Sequence, residues 1–205
     1  MSDPHEFAVC GSDTLHVGKI LALRLDQVVM PDGRKAKREV VEHPGSVVVL
    51  PLHDDFSVVM IDQYRHPLGH RIRELPAGLL DAPGEDPVTT AQRELLEEVG
   101  YTARHWSVLV DLVPSPGFSD ESQRVFLARG LTQVDRPPGT DEEADLKVVR
   151  VPLAEAVRQV LTGGIVNGPA VAGLLAVHAV LDGFAQPRSA DALWPDRPTR
   201  FAARA

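Results

Sequence analysis

Hydrophobic and polar residues alternate in short runs along most of this chain, with three longer helix-like stretches between them. The alternating or continuous apolar runs predict β-strands at 20–29, 35–41, 46–52, 57–65, 72–75, 106–112, 123–128 and 146–151. The helix-like stretches lie at 87–99, 152–161 and 169–182. Strands mixed with helices on either side predict a layered α/β domain, and the first two strands predict a small separate sheet. The tail from Gly183 has no period and is expected to lie over the surface or a partner.

The helix at 87–99 has recognisable ends. Asp86 can cap its N-terminus, Pro87 suits its first turn, and Gly100 suits a left-handed residue after its last turn. The preceding strand leads into Pro76-Ala77-Gly78, which we expect to be a loop whose backbone approaches a ligand. Strand, loop and helix are therefore expected to form one functional unit.

Three carboxylates lie on one side of this helix. At about 100° per residue, Glu97 and Glu98 fall within about 60° of Glu94. Leu95 and Val99 face the other way. Like charges at this spacing cost about 0.2–0.5 kcal/mol per pair, so the stripe needs either a compensating cation or solvation on an exposed face. Oxygen ligands suit a hard cation such as Mg²⁺ or Mn²⁺, so a metal-assisted phosphate enzyme and a solvated acidic face both fit this pattern.

Composition is typical of a compact enzyme. The chain has 205 residues, of which 43% are hydrophobic, which is enough for a substantial core. The net charge of −8 argues against a nucleic-acid surface, which relies on clustered Lys and Arg. Cys10 is the single cysteine and no signal-peptide pattern opens the chain, so we expect a cytoplasmic location. The apolar stretch at 171–181 is too short to span a bilayer, so no membrane association is expected.

Glycine, arginine and glutamate residues recur in a fixed order around the acidic helix. The order is Glu85, Arg93-Glu94-Leu95, Glu97-Glu98 and Gly100, which closely resembles the Nudix box. Two positions depart from the usual box. Gly78 lies one residue too early, and Tyr101 occupies a position that is usually aliphatic. On these residues the chain resembles the Nudix hydrolases.

The resemblance covers nearly the whole chain and narrows to ADP-ribose pyrophosphatases of the Nudix superfamily, particularly the actinobacterial kind. It is carried by residues 63–66, 74–78, 115–121 and 184–187, and by Pro116, which resembles that subfamily's marker for ADP-ribose. It implies a Nudix α/β/α sandwich with a mixed sheet over residues 46–205, preceded by a small N-terminal antiparallel β domain over residues 1–45. It also implies a homodimer with exchanged or packed N-terminal domains, and hydrolysis of ADP-ribose to AMP and ribose 5-phosphate.

The same resemblance implies roles for residues of the box. The metal ligands would be the Ala77 carbonyl, Glu94 and Glu98, with Glu97 assisting. Arg93 would orient the glutamates, and Glu85 would be a structural carboxylate at the helix end. A bound Mg²⁺ or Mn²⁺ would neutralise the pyrophosphate and lower the pKa of a bound water.

Four residues are expected to contact the substrate: Arg65, Glu74, Glu121 and Arg38. Arg65, at a strand end beside the loop, could form two parallel hydrogen bonds with phosphate oxygens or a surface ion pair. The resemblance makes Glu121 an acceptor for ribose hydroxyls. Arg38 could reach the site from the partner's N-terminal domain, or it could belong to a solvated strand edge.

The general base is expected outside the box, because carboxylates committed to metals are poor proton acceptors. The loop at 135–144 offers several acids, and loops that close over substrates commonly supply one. The resemblance favours Glu143, with Glu142 as the alternative and Glu97 as the candidate if neither acts. A solvated acidic loop is the other interpretation.

Histidines and aromatic residues outside the box have other interpretations. The histidines at 66, 70 and 178 are not paired at metal spacing and receive no catalytic role, and His178 is expected to be a histidine with its hydrogen bonds satisfied on a buried helix. Trp106 and Phe118 could stack on adenine or pack in the core. The alternative functions are hydrolysis of another nucleotide sugar or dinucleotide, and a non-catalytic ADP-ribose sensor. The sensor is disfavoured because the box glutamates are present and no basic helix-turn-helix segment is visible.

Overall fold

The computed structural model describes residues 7–82, 84–139 and 145–204, which form two compact units. The first unit comprises the described residues up to 45 together with 113–122 and 196–204. The second unit comprises the described residues of 46–112 and 123–195. A loop from the middle of the chain and the end of the tail therefore belong with the N-terminal residues.

The first unit is built on one antiparallel sheet in the order β1-β2-β3. Its strands are β1 (Val9–Val17), β2 (Ala22–Val29) and β3 (Lys35–Glu42). The two strands predicted here are confirmed, and β1 is a third strand that the pattern did not predict. Its sequence, VCGSDTLHV, is mostly exposed and polar, so it carries little of the alternation by which half-buried strands are recognised.

A buried ionic cluster lies within the first unit. Arg24 donates hydrogen bonds to both Asp26 and Glu42, and Arg204 donates to the same Glu42 carboxylate. The hydrogen bond from Arg204 and the one from Arg24 hold the pKa of Glu42 below its usual value, although burial opposes this. Charges this deeply buried require such pairing, so the end of the tail is tied to the N-terminal sheet.

The second unit contains two sheets and three helices. The strands are β4 (Ser46–Pro51), β5 (Ser57–Arg65), β6 (His70–Glu74), β7 (Ala77–Leu79), β8 (Tyr101–Leu112), β9 (Gln123–Gln133), β10 (Lys147–Pro152) and β11 (Arg188–Ser189). The helices are α1 (Pro87–Val99), α2 (Leu153–Leu161) and α3 (Gly168–Leu181). The larger sheet has the order β11-β8-β9-β4-β7 and is mixed, because β4 pairs with β9 in parallel and its other pairs are antiparallel. The smaller sheet, β10-β5-β6, is antiparallel.

Strand β4 separates two hydrophobic cores. Val47 and Val49 pack in the core that contains α1, whereas Val48 and Leu50 pack in the core that contains α2 and α3. Because successive side chains of a strand point to opposite faces, a strand covered on both faces must be apolar at every position. This explains the continuous apolar run at 46–52 and confirms the expected α/β/α layering.

One local expectation was wrong. Ala77 and Gly78, expected in a loop, belong to the short strand β7 (Ala77–Leu79), which pairs with β4. The tail lies against the larger sheet at one point, where Arg188–Ser189 forms β11 beside β8. His178 is exposed on α3, with its Nε2 3.6 Å from a carboxylate oxygen of Asp182. In the described part of the chain, no helix is long and apolar enough to cross a membrane.

Candidate active site

Helix α1 begins and ends where the sequence predicted. The Asp86 side chain accepts the backbone N–H groups of Val88 and Thr89, which would otherwise be unpaired at the helix N-terminus. Gly100 follows the last turn in the left-handed conformation, with φ of 71°, and its N–H donates to Leu96. These two caps fix where α1 begins and ends, and therefore where its glutamates lie along the helix axis.

Two glutamates of α1 lie directly over β7. A Cβ atom added to Gly78 would lie 2.0 Å from Oε1 of Glu94, so only glycine leaves room for this carboxylate. The backbone N–H of Ala77 donates to Oε2 of Glu98 at 2.8 Å. The Ala77–Gly78 backbone and the two carboxylates are thus brought into one cluster, as the sequence predicted for the strand, loop and helix.

Arg93 gathers the remaining carboxylates of the box. Its Nη1 donates to Glu94 at 2.7 Å and to Glu97 at 3.0 Å. Its Nε and Nη2 donate to the two oxygens of Glu85, which also accepts the Thr90 hydroxyl. Burial acts to lower the pKa of Arg93, but the surrounding carboxylates outweigh it and raise that pKa, while the hydrogen bond from Arg93 lowers the pKa of Glu85. Arg93 therefore stays charged and orients the glutamates.

The acidic stripe does not face solvent as a whole. Glu94 and Glu98 are only 7% and 4% exposed, and Glu97 alone has a substantially exposed side chain, at 37%. A merely solvated acidic face is therefore the wrong interpretation for Glu94 and Glu98. Carboxylates buried to this extent require partners, which here are a guanidinium and a backbone N–H.

The donor set fits a divalent cation. The cluster offers carboxylate and carbonyl oxygens, which are the ligands that hard cations such as Mg²⁺ and Mn²⁺ take in proteins. Among the described residues, no three His, Cys, Asp or Glu side chains are already grouped as a metal site, and Arg93 occupies part of the carboxylate cluster. The residues that would hold the cation are Ala77, Glu94, Glu98 and Glu97.

The Arg65 guanidinium, on β5, forms an ion pair with a glutamate of the neighbouring strand β6. Its Nε and Nη2 donate to the two carboxylate oxygens of Glu74 at 2.7 and 2.8 Å. This bidentate pair is the ion pair that was the alternative to phosphate binding, although Glu74 is buried rather than on the surface. Glu74 precedes Ala77 by three residues, so Arg65 of β5 is paired with the last residue of β6, the strand that leads into the cluster.

The other predicted site residues lie in the first unit or outside the described residues. Arg38 and Glu121 belong to the first unit, where Arg38 is exposed on β3 and Glu121 closes the loop at 115–121. The proposed bases Glu142 and Glu143 lie outside the described residues. The assignments of all four remain predictions.

Two residues that hold segments carrying predicted site residues were not predicted. Arg136 donates to the backbone carbonyl of Glu97, which joins the start of the loop at 135–139 to the end of α1. Asp120 accepts the backbone N–H of His43, which joins the loop at 115–121 to the end of β3. The only sequence signal was the His43-Pro44-Gly45 turn, and nothing in it indicated its partner 77 residues away.

Fold and site together define a class of protein. A mixed sheet lies between helices, and one helix presents arginine-oriented glutamates over a glycine in the adjacent strand. Residues 42–171 match the NUDIX domain. The chain therefore belongs to the NUDIX family, and the resemblance predicted from the box is confirmed.

Individual relatives show which members of the family this chain resembles. The chain is 58% identical over 200 residues to a Mycobacterium tuberculosis (strain ATCC 25618 / H37Rv) protein named ADP-ribose pyrophosphatase, covering 98% of this chain and 97% of the relative. It is 42% identical over 143 residues to the ADP-ribose pyrophosphatase of Bacillus subtilis (strain 168), covering 70% of this chain and 77% of the relative. The predicted similarity to the ADP-ribose pyrophosphatases is thus confirmed.

A solved structure supports the fold. A crystal structure of an ADP compounds hydrolase superposes with a TM-score of 0.75, covering 91% of this chain and 100% of that chain. The sequence identity is 22%, so this likeness bears on the fold alone.

Proposed function

We propose that this protein hydrolyses the pyrophosphate of ADP-ribose, giving AMP and ribose 5-phosphate with the help of Mg²⁺ or Mn²⁺. The observation that carries the proposal is the 58% identity, over 98% of the chain, to a protein named for this activity. The glutamate cluster over Ala77 and Gly78 supplies matching chemistry, since the box residues are present and oriented. In the reaction, a water oxygen adds to one phosphorus atom and the bond between that same phosphorus and the bridging oxygen breaks, so the bridging oxygen leaves with the other phosphate and the water proton goes to the general base.

Residues of the box would bind the cation and keep its ligands oriented. Glu94 and Glu98, with the Ala77 carbonyl and Glu97, would hold the cation, and Arg93 would keep their carboxylates in place. The bound cation would supply charge neutralisation at the pyrophosphate and make water a better nucleophile. Because Glu98 also accepts the Ala77 N–H, its carboxylate is held in a fixed orientation before any substrate arrives.

Substrate contacts are proposed for four residues: Arg65, Glu74, Arg38 and Glu121. Arg65 would provide positive charge for the phosphates from its position on Glu74, which fixes the guanidinium plane. Glu121 would accept hydrogen bonds from the ribose hydroxyls. Arg38 would act on the substrate from the partner's N-terminal sheet.

Glu143 is the proposed general base, with Glu142 as the alternative. The residues before it support this, because Arg136 holds the start of its loop against the end of α1. We expect Glu143→Gln to lower kcat by about 10²–10⁴, the usual effect of losing an acid-base group, with a smaller change in KM. Steady-state kinetics with saturating Mg²⁺ would measure this.

The neighbouring acid provides the matched control for this prediction. If Glu142→Gln lowers kcat instead and Glu143→Gln does not, the role moves by one residue. If neither variant differs from wild type, the base is not in this loop, and Glu97 becomes the candidate.

The proposed assembly is a cytoplasmic homodimer to which both N-terminal sheets contribute. The first unit supports this with several exposed apolar side chains: Phe7, Val9, Leu15, Val17 and Ile20. Apolar surface of this kind favours burial against a second chain. Sedimentation at several protein concentrations would determine the oligomeric state.

Product analysis is the decisive test of the activity. The purified protein would be incubated with ADP-ribose, NADH or GDP-mannose in the presence of Mg²⁺, and the products would be separated by chromatography. We expect AMP and ribose 5-phosphate from ADP-ribose at the highest kcat/KM. Preferred cleavage of GDP-mannose or NADH would change the assigned substrate but keep the assigned reaction, hydrolysis of a pyrophosphate. Tight binding of ADP-ribose without products would indicate a sensor.

Metal dependence needs a separate arm of the same assay. Treatment with a chelator should abolish turnover, and either Mg²⁺ or Mn²⁺ should restore it. Comparing the two ions at equal free concentration would identify the better cofactor. Full activity in excess chelator would contradict a divalent-metal mechanism.

A further inference from the structure

The loop that carries Glu121 is attached to the end of β3 within the first unit. The Val41 N–H donates to the Phe118 carbonyl at 2.7 Å, and the Asp120 N–H donates to the Val41 carbonyl at 3.1 Å. Val41 and Ser119 form an isolated parallel β-bridge, so the loop pairs with the end of β3 through backbone hydrogen bonds. Two contacts inside the loop, from the Ser119 N–H to the Ser115 carbonyl and from the Glu121 N–H to the Ser119 hydroxyl, fix its path up to Glu121.

His43 holds this attachment at its far end. Its backbone N–H donates to Oδ1 of Asp120 at 2.9 Å, and its Nδ1 accepts the Gly45 N–H at 3.1 Å. Since Nδ1 is an acceptor, the proton of the neutral ring must be on Nε2. Burial lowers the pKa of His43, against the opposing effect of the nearby Glu121 and Asp120 carboxylates, so the ring stays neutral at ordinary pH.

The turn after His43 is closely packed. Gly45 has a φ of 82°, and a Cβ atom there would lie 3.1 Å from Cδ of Pro198 and 3.2 Å from the Ser122 carbonyl oxygen. The turn therefore packs against Pro198 of the tail and against Ser122, the residue that follows Glu121. We expect a change at His43 to act on the segment from Asp120 to Ser122, because His43 and Gly45 both contact it.

We propose that His43 is a positioning residue: together with Asp120 it sets the place of Glu121 for the ribose of the substrate. The inference rests on the proposed function, because that function makes Glu121 the ribose acceptor. The neutral ring keeps the Gly45 hydrogen bond. A protonated ring would lose that bond, since both nitrogens would then be donors, and it would attract the nearby carboxylates of Glu121 and Asp120, which would shift Glu121 from its place.

Two substitutions at His43 separate positioning from general stability. Asn carries an acceptor at the same distance from the backbone as Nδ1 and cannot be protonated, whereas Ala has no acceptor. We expect His43→Ala to raise KM for ADP-ribose by about 2- to 10-fold, as for the loss of one hydrogen bond, with kcat nearly unchanged. His43→Asn should restore the wild-type KM at neutral pH, and His178→Asn, an exposed histidine, should change nothing.

The pH dependence of KM gives the second readout. Because the pKa of His43 lies below its usual 6.5, the wild-type KM should rise only as the pH falls below that value. His43→Asn should lack this rise when KM is measured between about pH 5 and 8. The proposal is overturned if His43→Asn shows the same rise as wild type, or if His43→Ala leaves KM unchanged.

An NMR titration tests the proposal without any turnover. The imidazole signal that disappears in His43→Asn would be followed against pH in wild type and in Glu121→Gln. Removing the Glu121 charge should lower the pKa of His43 further, whereas Glu39→Gln, which removes another carboxylate of β3, should not. An unchanged His43 titration in Glu121→Gln would overturn the proposal. If wild type fails to hydrolyse ADP-ribose, the proposed function fails, and this titration still decides whether His43 and Glu121 interact.

Discussion

Glu98 combines two roles at the scale of single residues, because its carboxylate accepts the Ala77 N–H and is also a proposed metal ligand. Glu98→Gln keeps an acceptor for the N–H but removes the charge. We therefore expect an intact fold with turnover lowered by at least about 10- to 100-fold, the range seen when even outer contacts of a metal site are lost. Steady-state kinetics in saturating Mg²⁺ and a thermal melt would measure both effects.

The matched control for this change is Glu155→Gln on α2, where the carboxylate pairs with Arg158 at the surface. It should leave turnover unchanged. Near wild-type activity of Glu98→Gln would show that the buried carboxylates serve only the packing of α1.

The prediction for Gly78 depends on the space that its missing side chain leaves for Glu94, and not on charge. A methyl group at this position would overlap the Glu94 side chain from Cγ to the carboxylate, so Glu94 would have to move away from Arg93. Gly78→Ala should therefore lower turnover and Mg²⁺ affinity strongly, and it should also lower stability, because a buried carboxylate loses its partner. Kinetics at several Mg²⁺ concentrations and a melting curve would separate the two effects.

Gly168, at the first turn of α3, is the control for this substitution because a methyl group there would meet no atom within 4 Å. We expect Gly168→Ala to have wild-type kinetics. Equal kinetic effects from both alanines would mean that the close approach of Gly78 and Glu94 is unimportant.

At the scale of elements, the N-cap of α1 connects local sequence to the site. Asp86 accepts two backbone N–H groups and the Thr89 hydroxyl, and the adjacent Glu85 is held by Arg93. Asp86→Ala should lower the free energy of unfolding by about 0.5–2 kcal/mol, the usual cost of removing an N-cap. Urea denaturation would measure the loss. Asp86→Ser, which keeps an acceptor, should recover most of it, and equal stability of the alanine and serine variants would count against the cap.

Sheet pairing at this scale explains one error in the sequence analysis. Proline and glycine at 76 and 78 indicated a loop, but β7 is a three-residue edge strand beside β4. Short edge strands tolerate these residues because only one side of the strand must be paired. Composition could not reveal this pairing, since it depends on β4, about 30 residues earlier in the chain.

At the scale of the whole molecule, the N-terminal residues support segments from elsewhere in the chain. β3 holds the loop at 115–121, and the buried Glu42 is the partner of Arg204. Deletion of residues 1–45 would leave both without these contacts. We expect the shortened chain to be poorly soluble or inactive. Expression yield, sedimentation and turnover of the proposed substrate would test this, and a fully active monomer lacking these residues would contradict it.

The sequence by itself determined the elements and the chemistry of the box. Apolar periodicity located most strands and all three helices, and Asp86 and Gly100 marked the ends of α1 because capping involves only near neighbours in the chain. The order of Glu85, Arg93, Glu94, Glu97 and Glu98 likewise specified one helix face, since residues three and four apart are neighbours on a helix.

Only the tertiary structure decided which of these groups are buried and what they contact. Glu98 meets the N–H of Ala77 across 21 residues, and His43 meets Asp120 across 77. Such contacts depend on how separate elements pack, so local pattern contains no signal for them. The same applies to Arg65, which lies opposite His70 in the register of β5 and β6 and yet donates to Glu74, the residue opposite Ile61. Sequence pattern reports interactions between neighbours along the chain, whereas burial and partner choice arise from contacts between distant segments.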